Sequence, residues 1–82
     1  MNEVFIIGKV ISKIDYKFII NNKKQFAKAE FVLECDKQKI RVTGFNNIAD
    51  FCLKYLKENN YTFINGKLQS NRILKIKVMK IL

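Results

Sequence analysis

The sequence contains no histidine, no proline and no tryptophan, and only three of its 82 residues are glycine. The absence of histidine excludes imidazole general bases, histidine-containing catalytic triads and histidine metal sites. Its two cysteines, Cys35 and Cys52, are too few to form a zinc site by themselves. The scarcity of proline and glycine excludes a collagen-like chain or a flexible linker. We therefore expect neither a metal nor another cofactor.

Long apolar segments are also missing. The first apolar run covers only residues 4–7 and ends at Gly8, whereas a signal peptide needs a basic start and a longer apolar stretch. No window approaches the roughly 20 apolar residues of a membrane-spanning helix. Because the two cysteines also look unpaired, we expect a cytoplasmic protein that is not associated with a membrane.

The sequence does contain abundant apolar residues and positive charge. Hydrophobic residues make up 49% of the chain, too high a fraction for a disordered tail, and its length fits one small domain, residues 1–82. Lysine and arginine number 16 against 7 acidic residues, which gives a net charge of +9. A folded domain with this charge is suited to bind a polyanion, most commonly a nucleic acid.

Enzyme chemistry is not indicated by the side chains present. Glu30 and Glu34 lie four residues apart on one predicted strand face beside lysines, and nothing places them in a cleft of the kind that general acid–base catalysis needs. Cys35 and Cys52 fall on apolar faces, where they are predicted to be small core residues. There is no glycine-rich phosphate loop. We predict that the protein is not an enzyme.

Period-two alternation of apolar and polar residues predicts strands over most of the chain. It is clearest at residues 27–35, where an apolar face alternates with a mainly charged one. The predicted strands cover residues 3–14, 27–35, 39–45, 61–69 and 73–82, with a further aromatic, β-branched segment at 16–20. After a possible cap at Asn46 and Asn47, one helix is predicted from an apolar stripe, which consists of Ile48, Ala49, Cys52, Tyr55 and Leu56.

The order of the predicted elements is three strands, one helix and two strands. A five-stranded Greek-key barrel with its helix between strands three and four is the OB-fold. An SH3-like barrel and an α+β sandwich have similar numbers of elements, but the position of the helix favours the OB-fold. We therefore expect an all-β protein with one short helix.

Several segments match a known pattern in the same order. They are RVTGFNNIAD at 41–50, YLK at 55–57, FINGKLQS at 63–70, the opening NEVFIIGKV at 2–10 and AEFVL at 29–33. Together they resemble the bacterial single-stranded DNA-binding protein family. The resemblance implies an OB-fold that binds single-stranded DNA, without sequence preference, in replication and recombination.

A second resemblance covers part of the same sequence. Residues 31–34 and 42–47 are similar to primosomal replication protein B, a short dimeric OB-fold that binds single strands and helps to reload the replicative helicase. The sequence departs from the single-stranded DNA-binding family at Lys39 and Ile73, which stand where two stacking tryptophans of that family fall. It also has no acidic tail ending in a Pro–Phe pair, through which that family recruits other enzymes.

Binding of single strands without sequence preference needs a positive groove for the backbone and aromatic faces for the bases. In OB-folds this site lies across strands two and three and between the adjoining loops. The candidate residues are the cations and aromatics predicted to face outward there, namely Lys9, Lys28, Lys39, Arg41, Phe45, Tyr61, Phe63, Lys67, Gln69 and Arg72. Phe45 is the strongest candidate, because the resemblance places it at a base-stacking position. Phe63 can equally pack under the helix or in a subunit interface, and Tyr16, Phe18 and Phe26 can be groove wall or core.

Three functions fit these observations. The first is binding of single-stranded DNA; the second is a primosome-type adaptor that chiefly contacts replication proteins; the third is binding of single-stranded RNA. Cold-shock barrels that bind RNA usually have dense aromatic runs on strands two and three, which this sequence lacks, so RNA ranks last. Because both faces of the first strand are apolar near its start, we also expect a homodimer, formed by edge pairing at residues 4–7.

Overall fold

The computed structural model describes residues 3–70 and 73–82. Their six strands and one helix are β1 (Glu3–Val10), β2 (Asp15–Asn21), β3 (Lys24–Cys35), β4 (Gln38–Phe45), α1 (Asn47–Tyr55), β5 (Tyr61–Ser70) and β6 (Ile73–Ile81). The helix lies between β4 and β5. Since β1 and β2 together take the place of the first barrel strand, this is the predicted position between barrel strands three and four.

The strands close into a barrel. The sheet order is β1-β5-β6-β4-β3-β2, and a further pairing of β1 with β3, through Lys9 with Glu34 and Val10 with Leu33, completes the circle. All neighbouring strands are antiparallel except β4 and β6, which run parallel at residues 41–43 and 73–75. Parallel pairing of the third and fifth barrel strands with a helix between strands three and four confirms the OB-fold.

The length predicted for the first strand is wrong. It was expected to run over residues 3–14, but β1 ends at Val10 and β2 begins at Asp15. Between them, the amide of Ile11 still donates to the carbonyl of Val32 at 3.0 Å. At the next position the Ser12 hydroxyl, rather than a backbone carbonyl, accepts the hydrogen bond of the Val32 amide at 2.8 Å. A hydrogen bond to a side chain thus replaces the backbone hydrogen bond that would continue the strand pairing, and the chain changes direction there.

The core fills the barrel and extends under the helix. Its buried apolar side chains are Val10, Ala27, Ala29, Phe31, Leu33, Val42, Ala49, Cys52, Leu56, Ile64, Leu74 and Ile76. Four of them alternate along β3, as predicted from the sequence. Cys52 is fully buried, and this burial raises the pKa of its thiol to about 11. Cys35, at the end of β3, is a free and only half-buried cysteine.

β6 contains an irregularity that changes which side chains face the core. Asn65 of β5 pairs with Val78, but the next residue, Gly66, pairs with Ile76, so that Lys77 is an extra residue. The extra residue inverts the alternation beyond it. The prediction that Val78 faces inward is therefore wrong: Val78 is 54% exposed, while Met79 packs against the core.

The start of α1 is fixed by its contact with β3 rather than by a side-chain cap. Asn46 has a left-handed backbone with φ of 55°, and no side-chain cap hydrogen bond forms there. Its amide instead donates to the Ala27 carbonyl at 2.9 Å, and its side-chain Oδ1 accepts from the Ala27 amide at 3.4 Å. Tyr55, predicted on the buried stripe, lies exposed at the end of the helix and packs on Phe51.

The helix is nine residues long. In the two ranges that the structure describes, no helix is long and apolar enough to cross a membrane.

Candidate nucleic-acid interface

One outward surface of the barrel combines cations with aromatic rings. The antiparallel register of β3 and β4 pairs Lys28 with Phe45 and Val32 with Arg41, and parallel pairing brings Ile73 and Lys75 of β6 alongside β4. Because side chains alternate across a strand, these residues share one side of the sheet. We call this surface the basic face, and its residues are Phe26, Lys28, Val32, Lys39, Arg41, Phe45, Ile73 and Lys75.

A shallow groove of about 420 Å³ crosses the basic face. Val32 and Ile73 supply its apolar lining, whereas Lys39 and Arg41 supply positive charge. A second groove of about 230 Å³ shares Val32 and Arg41 with the first and continues towards Ser12, where Asp15 and Glu30 give it an acidic end. Apolar surface beside exposed cations suits a ligand that has flat apolar groups on an anionic backbone.

Phe45 lies at the end of this surface and has two close neighbours. It is half-buried, and the centroid of its ring lies 6.0 Å from that of Phe26 at an interplanar angle of 54°. The ammonium of Lys75 lies 5.4 Å from the centroid of the Phe45 ring, within the range of a cation–π contact. The ring therefore remains at the surface, next to a positive charge.

Acidic side chains are interspersed among the cations of β3. The ammonium of Lys28 lies 3.6 Å from the carboxylate of Glu30, and both side chains are about 30% exposed. Thr43 of β4 lies on this side of the sheet but is buried between its neighbours in register, Glu30 and Lys75. The charge of Lys28 is thus partly balanced. Lys39 is in register with Glu34, but neither Lys39 nor Arg41 has a carboxylate within 4.0 Å among the described residues.

The structure brings together four predicted site residues, Lys28, Lys39, Arg41 and Phe45, and places two more at the margins. Lys9 lies where the barrel closes, in register with Glu34 on one side and Tyr61 on the other. Lys67 of β5 pairs with Lys75 of β6 and extends the positive surface onto that strand. Gln69 is exposed near the end of β5. Arg72 lies outside the described residues.

Tyr61 and Phe63 lie on a different surface, formed by β1, β5 and the end of β6. The register pairs Ile7 with Phe63, and the Phe5 and Phe63 ring centroids lie 6.0 Å apart. We call this surface the apolar face, and its residues are Phe5, Ile7, Tyr61, Phe63 and Val78. Except for half-buried Phe63, each is between 54% and 67% exposed.

Tyr16 does not line the groove. Its hydroxyl donates a hydrogen bond to the Asp50 carboxylate at 2.8 Å, which joins β2 to the first turn of α1. That hydrogen bond to a carboxylate raises the pKa of the Tyr16 phenol, to which desolvation and the charge of Asp50 also contribute. Tyr16 therefore has a structural role. Phe26, in the same hairpin, borders Phe45, whereas Phe18 lies exposed on β2.

A family model described as the single-strand binding protein family matches residues 1–77. The chain belongs to this family. Proteins of the family are DNA-binding proteins without enzymatic activity, which confirms the prediction that the chain is not an enzyme. No curated protein matches the sequence at a significant level.

Solved structures share the fold of this family member at low sequence identity. The SSB domain of a Synechococcus sp. protein aligns with a TM-score of 0.84 and 18% identity, over 96% of this chain and 93% of that chain. The protein priB from Ralstonia solanacearum aligns with a TM-score of 0.78 and 10% identity, over 100% and 99%. A replication protein A heterotrimer bound to ssDNA aligns with a TM-score of 0.78 and 23% identity, over 100% of this chain and 22% of that chain.

Lys75 is the cation of the basic face that sequence reasoning did not select for the site; the groove-lining residues Val32 and Ile73 were not selected either. Alternation correctly predicts that Lys75 points outward, but the same holds for many lysines of this chain. Its position above Phe45 depends on the parallel pairing of β4 with β6, which joins residues about 30 positions apart in the sequence. No local pattern indicates that pairing.

Proposed function

We propose that the protein binds single-stranded DNA without sequence preference along the basic face. The observation that carries the proposal is the arrangement of Phe45 beside Lys75 and in line with the groove of Lys39 and Arg41. Membership of the single-strand binding protein family supports it. So does the shared fold with the replication protein A heterotrimer, which is described as bound to single-stranded DNA.

Binding of this kind combines two physical contributions. A base that stacks on the Phe45 ring gains roughly 1–3 kcal/mol, and every base has a face that can stack. Arg41 has a planar guanidinium that forms paired hydrogen bonds to a phosphate, whereas Lys39 acts as a point charge. Since these contacts release counterions from the strand, affinity falls as the salt concentration rises.

The direct test is fluorescence anisotropy with a labelled oligo-dT over a series of salt concentrations. We expect micromolar or tighter binding at low salt and a log–log slope of several. Arg41→Gln weakens binding and lowers the slope by about 0.7, the value for one phosphate contact with a single strand. The matched control is Lys54→Gln, because Lys54 is exposed on α1, away from the basic face. A flat salt titration contradicts the proposal.

The same experiment separates the alternative functions. Unlabelled oligo-U that competes as well as oligo-dT indicates a single-strand binder without preference for DNA. Failure of both oligonucleotides to bind, with the fold intact by circular dichroism, favours the adaptor that chiefly contacts replication proteins. A role in replication and recombination, inside the cytoplasm, is the setting that we propose for DNA binding.

We propose in addition that the protein forms a dimer through the free edge of β1. β5 pairs with β1 along Glu3–Lys9, but β3 pairs only with Lys9 and Val10, so the other edge of residues 3–7 has no partner strand in the described chain. An exposed apolar edge of this kind readily pairs with a second chain. Light scattering at tens of micromolar should give twice the chain mass of 9.7 kDa. A monomer at that concentration refutes the dimer.

A further inference from the structure

We propose that the Lys75 side chain covers the Phe45 ring in the free protein and is displaced by a nucleobase in the complex. We call Lys75 in this role an exchangeable cover. In the free protein its ammonium occupies the place beside the ring. When a single strand binds, a nucleobase takes that place and the ammonium moves to an adjoining phosphate. This inference rests on the proposed function and assigns to Lys75 a part in it that is not implied by its charge alone.

The first argument concerns what must move when a base stacks on Phe45. The ring contacts Phe26, whose centroid lies 6.0 Å away, and the Lys75 ammonium, which lies 5.4 Å from the ring centroid. Phe26 is half-buried and held in register with Ile19 of β2. Lys75 is exposed, and its long side chain has several rotatable bonds. Lys75 is therefore the neighbour that a stacking base displaces from the Phe45 ring.

The second argument concerns where the ammonium goes. Lys75 stands directly opposite Lys67 in the register of β5 and β6, and like charges facing each other across strands repel. Glu3 of β1 is in register with Lys67 on its other side, but the Glu3 carboxylate pairs with Lys77 at 3.6 Å. In the part of the chain that the structure describes, neither Lys67 nor Lys75 has a carboxylate within 4.0 Å. Lys67, Lys75 and Lys77 line a groove of about 320 Å³ together with Ile76. A phosphate in this groove relieves the repulsion.

The two proposed roles of Lys75, binding a phosphate and covering the Phe45 ring, predict opposite changes in DNA affinity when the side chain is replaced. Lys75→Met removes a phosphate contact, which weakens binding, but it also removes the cation that a base must displace, which strengthens binding. The first effect diminishes as salt rises, because it reflects counterion release. The second, a local contact with the ring, depends far less on salt. The signature of an exchangeable cover is therefore a crossing of two salt titrations.

The first experiment compares wild type, Lys75→Met and a matched control, Lys80→Met, in oligo-dT binding at increasing salt. Lys80 is on the same strand but in register with Phe63, away from Phe45. We expect the plot for K75M to have a slope smaller by about 0.7, to begin below wild type at low salt and to cross it at high salt. K80M should follow wild type. Parallel plots, or a shallower plot that stays below wild type at every salt concentration, overturn the inference.

The second experiment observes the cover itself by NMR. The aromatic ring current of Phe45 should shift the Lys75 ε-methylene protons upfield in the free protein, and Phe45→Leu should abolish that shift. Saturation with oligo-dT should return these protons to the ordinary lysine position. An unchanged shift in the saturated complex overturns the inference and leaves DNA binding intact. If wild type binds no oligonucleotide, the proposed function itself fails, and the anisotropy titration shows this independently of the free-state shift.

Discussion

The basic face and the apolar face both carry aromatic rings, but the surroundings of those rings differ. On the basic face, Phe45 lies beside the Lys75 ammonium and in register with Lys28. On the apolar face, Phe63 lies beside another ring, Phe5, and in register with Ile7 on one side and Lys80 on the other. Among the described residues, no ammonium lies over the Phe63 ring. An exposed ring next to cations suits an anionic strand with stacking bases. A cluster of exposed apolar side chains suits protein contact.

The comparison shows why aromatic residues alone do not locate a nucleic-acid site in this sequence. Tyr61, Phe63 and Phe45 are all outward-facing residues on strands of one small barrel. Each has a lysine in register, but of the three only Phe45 has an ammonium over its ring in the described chain, and the pairing of β4 with β6 brings that lysine there. The difference between the two faces can be tested by single substitutions at their border, on each face, and at positions that belong to neither face.

The largest effect is expected at the border, for Gly66→Ala. A Cβ at Gly66 would press against the backbone carbonyl of Lys75 and lie 3.2 Å from the Ile76 Cα. Because backbone atoms cannot rotate away, β6 must shift, and we expect a loss of about 3 kcal/mol in the free energy of unfolding. Urea denaturation measures the loss. The control is Lys67→Ala, at the neighbouring exposed position, with a change within about 0.5 kcal/mol; equal stability of the two variants contradicts the expectation.

The most direct comparison is between Phe45→Leu and Phe63→Leu, which remove the same ring from different faces. Loss of one stacked base contact of roughly 1–3 kcal/mol corresponds to about a 5- to 150-fold weaker affinity. We expect this loss for F45L and less than about a twofold change for F63L, measured by anisotropy with a short oligo-dT at fixed salt. Similar losses for both variants would remove the distinction between the faces.

Cys52 belongs to neither face and reports on the core. Its thiol pKa is about 11 in the folded protein against 9.0 in an unperturbed thiol. The folded state therefore keeps a proton that the unfolded chain loses, so stability is fully present below pH 9.0 and falls as pH rises towards 11. When the pH is raised from 8 to 10.5, the free energy of unfolding should decrease more for wild type than for Cys52→Ala. The difference between the two decreases should be on the order of 1–2 kcal/mol. Urea denaturation of both proteins at both pH values tests this; identical losses argue against it.

The smallest effect is expected for Tyr16→Phe, which removes the exposed hydrogen bond to Asp50. A solvent-exposed hydrogen bond contributes little to stability, so we expect a small decrease in the free energy of unfolding. Oligo-dT affinity should stay unchanged, because Tyr16 is not on the basic face. Urea denaturation and anisotropy provide the two measurements. A marked loss of affinity would place Tyr16 in the DNA site instead of in the scaffold.

The fold was predictable because its main signals are local. Alternation along β3 identified four buried side chains, and the stripe that includes Ala49 and Cys52 identified the helix. The errors arose where a non-local contact overrides the pattern. Ser12 interrupts the first strand because its hydroxyl bonds to β3, and the extra residue Lys77 turns Val78 outward.

The site was predictable only in part, for a related reason. Lys28, Lys39, Arg41 and Phe45 lie on two strands joined by a short turn, so their common face follows from sequence spacing. Lys75 joins them through a parallel pairing with β4. Tyr61 and Phe63 were grouped with them because alternation shows that they point outward but does not show on which side of a closed barrel they lie.

The extra residue in β6 allows a single strand to contribute to two separate surfaces. Before it, Lys75 is displayed beside Phe45; after it, Val78 is displayed beside the rings of β1 and β5. Without this offset, the alternation that turns Lys75 outward would turn Val78 towards the core and Met79 towards solvent. A barrel of this small size can thus acquire new ligand preferences and new assembly states by independent substitutions along the same nine-residue segment.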